Sequence, residues 1–358
     1  MGYYTPDQEK FRSEIREVLK EDVAPYVEEI EQGKIEIWDV IRRFAKRGYL
    51  GVVYPEAYGG LEKGLIEFFI MCEEVSSVSL AVDMSMTASP YGFGSLPGFF
   101  GKDMEKYLVP IIKGEKIGSF CYTEPEAGSD LGRMRTVARK EKDEFVLNGE
   151  KRYITNGSIA DYLLVYARNG AFVVESSWDG FEVIEEYGMM GLKGLHLGHL
   201  KFNDVRVPEE NAVVYTGEEK PEKEQKTKKE RKRGGATDMF SVMLGPERAY
   251  ISAGALGVAR SAFEEALKYS AERVQFHRTI SEFEGVSFKI ADMATKLEAM
   301  RLMTINAANA IDENFMNSGK VAAMAKLFNA TEGFKICNEA LQILAGAGHT
   351  RQSPRRDI

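Results

Sequence analysis

Cysteine is scarce. Cys72, Cys121 and Cys337 are the three thiols in 358 residues, too few and too widely spaced for a disulfide framework or a zinc-binding pattern. That usage fits a reducing cytoplasm. Histidine is scarce too, with four residues, and only His196 and His199 in "HLGH" lie close together. On a strand they would face opposite sides with no further ligand nearby, so no metal site is expected. No uncharged apolar run approaches the roughly 20 residues that span a bilayer. Near the N-terminus, Asp7, Glu9 and Lys10 stand where a signal peptide would be apolar. Excess positive charge is also missing: the net charge is −8, which argues against a nucleic-acid partner. What is present is an ordinary globular balance, 44% hydrophobic and 28% charged, in a chain long enough for two or three domains.

The hydrophobic period changes twice along the chain. Thr5-Pro6-Asp7-Gln8 reads as an N-cap, a first-turn proline and a capping-box glutamine, after which Phe11, Ile15, Val18 and Leu19 recur at helical spacing. Further helices are expected from Trp38 to Leu50, Leu65 to Val78 and Lys102 to Ile112. The pattern then alternates. Phe145-Val146-Leu147, Asn148-Gly149 and Lys151 to Thr155 predict a tight hairpin with a type I′ turn. Short strands follow at 163–166, 172–174, 181–184 and 200–207 without intervening helices, which predicts an antiparallel sheet or barrel. Ala249 to Val274, Phe288 to Ile311 and Met316 to Leu344 return to the helical period and predict a bundle. The run "EEKPEKEQKTKKERKRGG" holds no apolar residue but Pro221 and predicts a solvated surface insertion. The expected divisions are 1–118 helical, 119–216 β, 217–236 charged insertion and 237–358 helical bundle.

Seven stretches occur in order: "YPEAYGG", "CYTEPEAGSD", "LNGEKRYITNG", "FNDVRVPEEN", "ERAYISAGALGVA", "AERVQFHR" and "LQILAGAGHT". Together they make the chain resemble the acyl-CoA dehydrogenase flavoprotein family over nearly its whole length. The resemblance implies an α+β multidomain fold: an N-terminal helical domain, a central antiparallel β-barrel domain and a C-terminal four-helix bundle. It implies FAD as cofactor, with Tyr122, Thr123, Ser129, Tyr153, Ile154 and Thr155 along the flavin. Hydroxyls and backbone N–H groups in such a turn suit the flavin carbonyls and the negative charge of the reduced ring. Arg273 and Phe276 match the "R-x-x-F" that reaches the adenosine half of FAD from a neighbouring subunit, and Gln342 and Gly346 match a pyrophosphate contact. A homo-oligomer, in the family a tetramer, follows from that division. Glycines at 346 and 348 suit a close backbone–phosphate approach. His277 stands where the family usually has glycine, and Glu284 where it often has glutamine.

The implied reaction is α,β-dehydrogenation of an acyl-CoA to the trans-2-enoyl-CoA, with electrons passed to an electron-transferring flavoprotein. It needs a carboxylate base of raised pKa. Most members place this residue in a C-terminal "Y-E-G-T" segment, and the sequence ends at "RQSPRRDI", before it; the chain is expected to be a shortened member. Some branches place the base immediately before an arginine on the helix after the insertion. Glu247, followed by Arg248, stands there, and Gly245-Pro246 would start that helix, leaving Glu247 in its first turn. Ser129 and Arg248 are the expected substrate contacts. An acid favoured by a helix N-terminus explains Glu247 equally well at this level. A scaffold that binds flavin or a partner without catalysis, and a nucleic-acid-binding relative, remain open as rivals.

Overall fold

The computed structural model describes residues 3–94, 104–214 and 236–350. The expected insertion up to residue 235 and the C-terminal octapeptide lie outside the described residues.

The first helix, α1 (Pro6–Asp22), starts as its sequence dictates. The Thr5 hydroxyl accepts the Gln8 N–H at 3.2 Å, and the Gln8 side chain accepts the Thr5 N–H at 3.0 Å. Then come α2 (Val27–Glu31), α3 (Ile37–Ala45), α4 (Leu65–Ser76), α5 (Leu80–Thr87) and α6 (Val109–Ile112). Within the span expected as the helix from Lys102 to Ile112, residues 102–103 lie outside the described residues, and α6 is preceded by a π-helical stretch, Met104–Leu108. The centre of this layer is α4, buried from Phe68 through Ser76. Its two buried carboxylates meet four guanidinium groups. Glu73 pairs with Arg12, Arg260 and Arg301, and Glu74 with Arg12, Arg16 and Arg260, at 2.7–3.4 Å. Burial pushes the Glu73 carboxyl up, but Arg301, Arg260 and Arg12 together hold it below the usual carboxylate range.

The β domain comprises β1 (Gly118–Cys121), β2 (Val137–Glu141), β3 (Glu144–Thr155), β4 (Tyr162–Ala167), β5 (Gly170–Glu175), β6 (Phe181–Glu186), β7 (Leu197–Pro208) and β8 (Ala212–Val214). Two four-stranded sheets, ordered β1-β4-β5-β8 and β2-β3-β7-β6, enclose a core that includes Phe145, Leu147, Val165, Phe172, Leu200 and Val205. Pairing is antiparallel except between β1 and β4, which run parallel. The expected Asn148-Gly149 turn does not form. β3 runs straight through it, and the hairpin turn is Lys142-Asp143 between β2 and β3. The extra residue at this point of the β3–β7 register lies on β7, where Asn203 and Asp204 stand against Asn148. The Asn148 side chain bonds Asp204 in both directions, and a Cβ at Gly149 would stand 2.2 Å from the Thr136 hydroxyl oxygen.

The helical bundle consists of α7 (Ala236–Glu272), α8 (Glu284–Asn314) and α9 (Gly319–Leu344), the three long helices among its described residues. The N-terminal helix α4 packs against α7 and α8 as a fourth. The α4–α7 approach is backbone to backbone: a Cβ at Gly257 would lie 2.2 Å from the Glu73 carbonyl oxygen. The helix carrying Glu247 does not begin at Gly245-Pro246. It begins at Ala236 and carries Pro246 in its interior, so Glu247 is not a first-turn residue and its helix N-terminus is more than two turns away. A two-residue hairpin, β9 (Val274–Gln275) and β10 (Arg278–Thr279), joins α7 to α8.

Candidate functional site

β1 ends at Cys121 and its continuation crosses the start of the bulged half of β3. Three hydrogen bonds fix the crossing. The Ser119 hydroxyl donates to the Thr155 carbonyl at 2.7 Å, the Arg152 N–H donates to the Thr123 carbonyl at 2.8 Å, and the Lys151 ammonium donates to the Tyr122 carbonyl at 3.0 Å. Tyr122, Thr123 and Thr155 are thereby brought together. The Tyr122 ring is buried and stacks on Tyr166 with centroids 3.9 Å apart, so its backbone rather than its ring borders the site. The hydroxyls of Thr123 and Thr155, both half-buried, have no hydrogen-bond partner among the described residues, and neither has the Thr123 N–H.

Between these positions the strand irregularity redirects Tyr153. Its φ is +58°, a left-handed conformation that costs a non-glycine residue about 1–3 kcal/mol. Its ring is thrown outward, 58% exposed, and leans on Tyr187 at 4.9 Å. Ile154 turns the other way, into the core between the sheets, so any contact it makes with a cofactor is through the backbone. Asn156, also at positive φ and fully buried, anchors the end of β3 to α5. Its Oδ1 accepts the Ser85 hydroxyl and its Nδ2 donates to the Ser85 carbonyl, both at 2.7 Å. Ser129 lies exposed in the loop beyond Thr123.

Glu247 stands on α7. It is half-buried, and burial pushes its carboxyl up to about 7, with the Arg248 guanidinium pulling the other way. One turn on, the buried Tyr250 meets Phe68 edge-on at 5.7 Å, and Phe68 lies 4.0 Å from Tyr91. Tyr91 belongs to a π-helical segment, Ala88–Gly92, which is bonded to β1 through Ser89 and Gly118. A run of aromatic contacts thus links α7, one turn beyond Glu247, with the segment bonded to Gly118 at the start of β1. Arg248, half-buried, adjoins Glu247 on the helix.

The remaining expected residues are far away. The 25 residues from Glu247 to Glu272 span about 38 Å of uninterrupted helix at a 1.5 Å rise. Arg273 leaves α7 there, and Phe276 forms the hairpin tip with His277, both at positive φ, +50° and +65°. The Phe276 ring is 85% exposed. Gln342 and Gly346 are exposed at the C-terminal end of α9. A Cβ at Gly346 would meet nothing within 4 Å, whereas one at Gly348 would stand 2.9 Å from the Leu341 carbonyl oxygen. Gly346 therefore borders open space, and Gly348 answers to packing within its own helix end.

Sequence reasoning missed Lys151 and Glu124. The Lys151 ammonium is fully buried and pairs with Glu124 at 2.7 Å. Their signal was present, an acid in "CYTEPEAGSD" and a lysine in "LNGEKRYITNG", but both residue types read as surface by default. His196 is held between Glu36 and Glu186 at 3.0 Å each, a link between the helical layer and the β domain. Among the described residues there is no group of three or more potential metal ligands and no helix long and apolar enough to cross a membrane.

Three family models match the chain in order: the acyl-CoA dehydrogenase N-terminal domain over residues 5–115, the middle domain over 119–205 and the C-terminal domain over 234–357. An acyl-CoA dehydrogenase of Bacillus subtilis (strain 168) is 33% identical over 364 residues, covering 98% of this chain and 91% of its own. The caffeyl-CoA reductase-Etf complex subunit CarC of Acetobacterium woodii is 32% identical over 362 residues, with 98% and 91% covered. The solved butyryl-CoA dehydrogenase of Megasphaera elsdenii superposes with a TM-score of 0.85 at 30% identity, over 98% of this chain and 91% of that one. The unpartnered donors of Thr123 and Thr155 fit the cofactor of such enzymes. The chain belongs to the acyl-CoA dehydrogenase family and is an FAD-dependent oxidoreductase that acts on acyl-CoA.

Proposed function

We propose that the chain removes hydrogen across Cα–Cβ of an acyl-CoA thioester to leave the trans-2-enoyl-CoA, with Glu247 as the base. The observation that carries this reading is the desolvated Glu247 carboxyl, pushed up to about 7 one turn before the aromatic run that links α7 with the segment bonded to β1. A base of that strength is matched to neutral pH: ionised often enough to act and basic enough to take a weakly acidic α proton. Glu247 receives that proton on a carboxylate oxygen, and the wall of Tyr250, Phe68 and Tyr91 keeps bulk water off one side. FAD, when bound, supplies the acceptor for the β hydride. Tyr122 and Thr123 through their backbone, and Thr123, Ser129 and Thr155 through their hydroxyls, would hold its ring system beside Tyr153. Ser129 and Arg248 would meet the substrate.

Arg273, Phe276, Gln342 and Gly346 would hold the other half of FAD in a second copy of the chain. The distance along α7 supports this division, since no single extended dinucleotide reaches from Glu247 to the hairpin. The outward aromatic side chains of Phe276, Phe288 and Phe334 support a homo-oligomer, and a tetramer is the assembly we favour. Electron transfer to an electron-transferring flavoprotein draws on the Acetobacterium relative, which is named as a subunit of an Etf complex. The thiols Cys72, Cys121 and Cys337 are unpaired, which supports a reducing, cytoplasmic setting. Purified protein should be yellow, and anaerobic addition of an acyl-CoA should bleach the flavin band. Bound FAD that no acyl-CoA bleaches would overturn the catalytic reading and leave a flavin-binding scaffold.

A further inference from the structure

Lys151 and Glu124 form a buried ion pair inside the β domain, and burial of this kind is seldom justified by stability. A buried pair gains little over apolar residues of the same volume, because desolvation offsets the Coulombic attraction. Here the pair is tied to specific backbone groups on both sides. Glu124 accepts from Lys151 at 2.7 Å and from the Thr136 N–H at 3.1 Å on one oxygen, and from the Arg135 N–H at 2.5 Å on the other. Burial pushes the Glu124 carboxyl up, but Lys151 and these N–H donors hold it below its ordinary range, so it is an anion and a firm anchor. The ammonium it holds donates onward to the Tyr122 carbonyl at 3.0 Å.

That last bond has a directional consequence. A trans peptide places its C=O and N–H on opposite sides. Because the Tyr122 carbonyl is turned toward the Lys151 ammonium, the N–H of the same peptide unit, that of Thr123, points away from that ammonium. The next peptide is fixed in the same way, with the Thr123 carbonyl on the Arg152 N–H and the Glu124 N–H on the Ala127 carbonyl at 2.9 Å. Of the two N–H groups, Thr123's is the one without a partner among the described residues. We propose that Lys151, anchored by Glu124, is a positioning residue: it sets the Tyr122–Thr123 peptide so that the Thr123 N–H is presented to the flavin ring. The ammonium touches no cofactor atom and acts through the peptide. The inference rests on the flavin site assigned above. A donor fixed in that direction favours the ring most when it carries the negative charge of the reduced state.

Two double variants test this in the FAD-loaded protein, because single variants would leave a lone buried charge. Glu124→Gln/Lys151→Met removes both charges and the donor to Tyr122. Glu124→Gln/Lys151→Gln removes both charges and keeps an amide donor on a shorter arm. FAD dissociation is followed by flavin fluorescence, the midpoint potential by dye equilibration and the fold by thermal melting. Losing a charge-assisted hydrogen bond should weaken FAD binding by about tenfold in the methionine pair. A further tenfold loss for the reduced form would lower the potential by about 30 mV. The glutamine pair should fall between it and the parent. Parental affinity and potential in the methionine pair, with the fold intact, would overturn the proposal; so would a change in melting with no change in potential. Should the methionine pair fail to fold, the glutamine pair decides by the same criterion. A parent protein that does not bind FAD would overturn the flavin site itself, and this proposal with it.

Discussion

At its Glu247 end, α7 is walled by Tyr250, Phe68 and Tyr91, and a carboxyl is pushed up to about 7. At its other end the chain turns outward through Arg273 into a hairpin whose tip, Phe276, is 85% exposed. The first end stores chemistry, because desolvation raises the energy of a charge that a reaction can use. The second stores reach, because two non-glycine residues held at positive φ push an aromatic ring into open space. Under the proposed division the two ends are complementary halves of two sites, each completed by a second copy of the chain. Between them Arg260 of α7 joins the buried cluster around Glu73 and Glu74, which fixes the helix on the N-terminal layer and keeps both ends in register.

The comparison breaks most sharply at Glu247. Replacing it with Gln should lower turnover by roughly 10²–10⁴-fold while FAD binding and melting stay near the parent values. In the parent, kcat/KM should climb with pH and level off above about 7, since the base acts only when deprotonated. A profile already flat from pH 5.5 would mean that Glu247 is an ordinary surface acid. The second cut is at the far end. Arg273→Ala should be inactive through loss of FAD, and co-expression with the Glu247→Gln chain should restore about a quarter of parental activity, because mixed dimers rebuild one intact site of two. No recovery in isolated mixed oligomers would place both ends in the same site.

A third prediction concerns the helix wall itself. Asp83, fully buried beside Ser76 and Gly254, is pushed up to about 7 by burial, against the hydrogen bonds of Ser76 and Cys72. Its folded pKa exceeds its unfolded one, so the folded state holds a proton that the unfolded chain lacks between about pH 4 and 7. Its contribution to stability is complete below that window and is lost as pH rises through about 7. Asp83→Asn should therefore narrow the gap in urea midpoint between pH 5 and pH 8. An unchanged gap would contradict the assignment. The smallest effect is expected at the hairpin tip. His277→Gly should stabilise the protein by about 0.5–1 kcal/mol by relieving a positive φ, read as a rise in the urea midpoint.

Local rules carried the helical parts of this fold well. The Thr5 capping box and the apolar face of α1 depend on neighbours within a turn, and both form as the sequence predicts. They failed where distant contacts decide. Asn148-Gly149 has the local chemistry of a type I′ turn, yet Asp204 takes the asparagine and Thr136 fills the space where a side chain would go. Pro246 looks like a helix start and lies within α7. The parallel β1–β4 pair spans some forty intervening residues, and no local pattern announces it. The residues proposed to face the flavin were legible through resemblance and not through spacing. Lys151 was invisible either way, because a lysine earns its burial only through partners that the sequence does not place.

Anaerobic titration of the FAD-loaded protein with a series of acyl-CoAs, butyryl-CoA first, tests the central assignment most directly. The account predicts that the flavin band of the parent bleaches and that the Glu247→Gln band stays, although the variant still binds FAD and the same acyl-CoA. Bleaching of the variant at the parental rate would contradict it and move the base elsewhere.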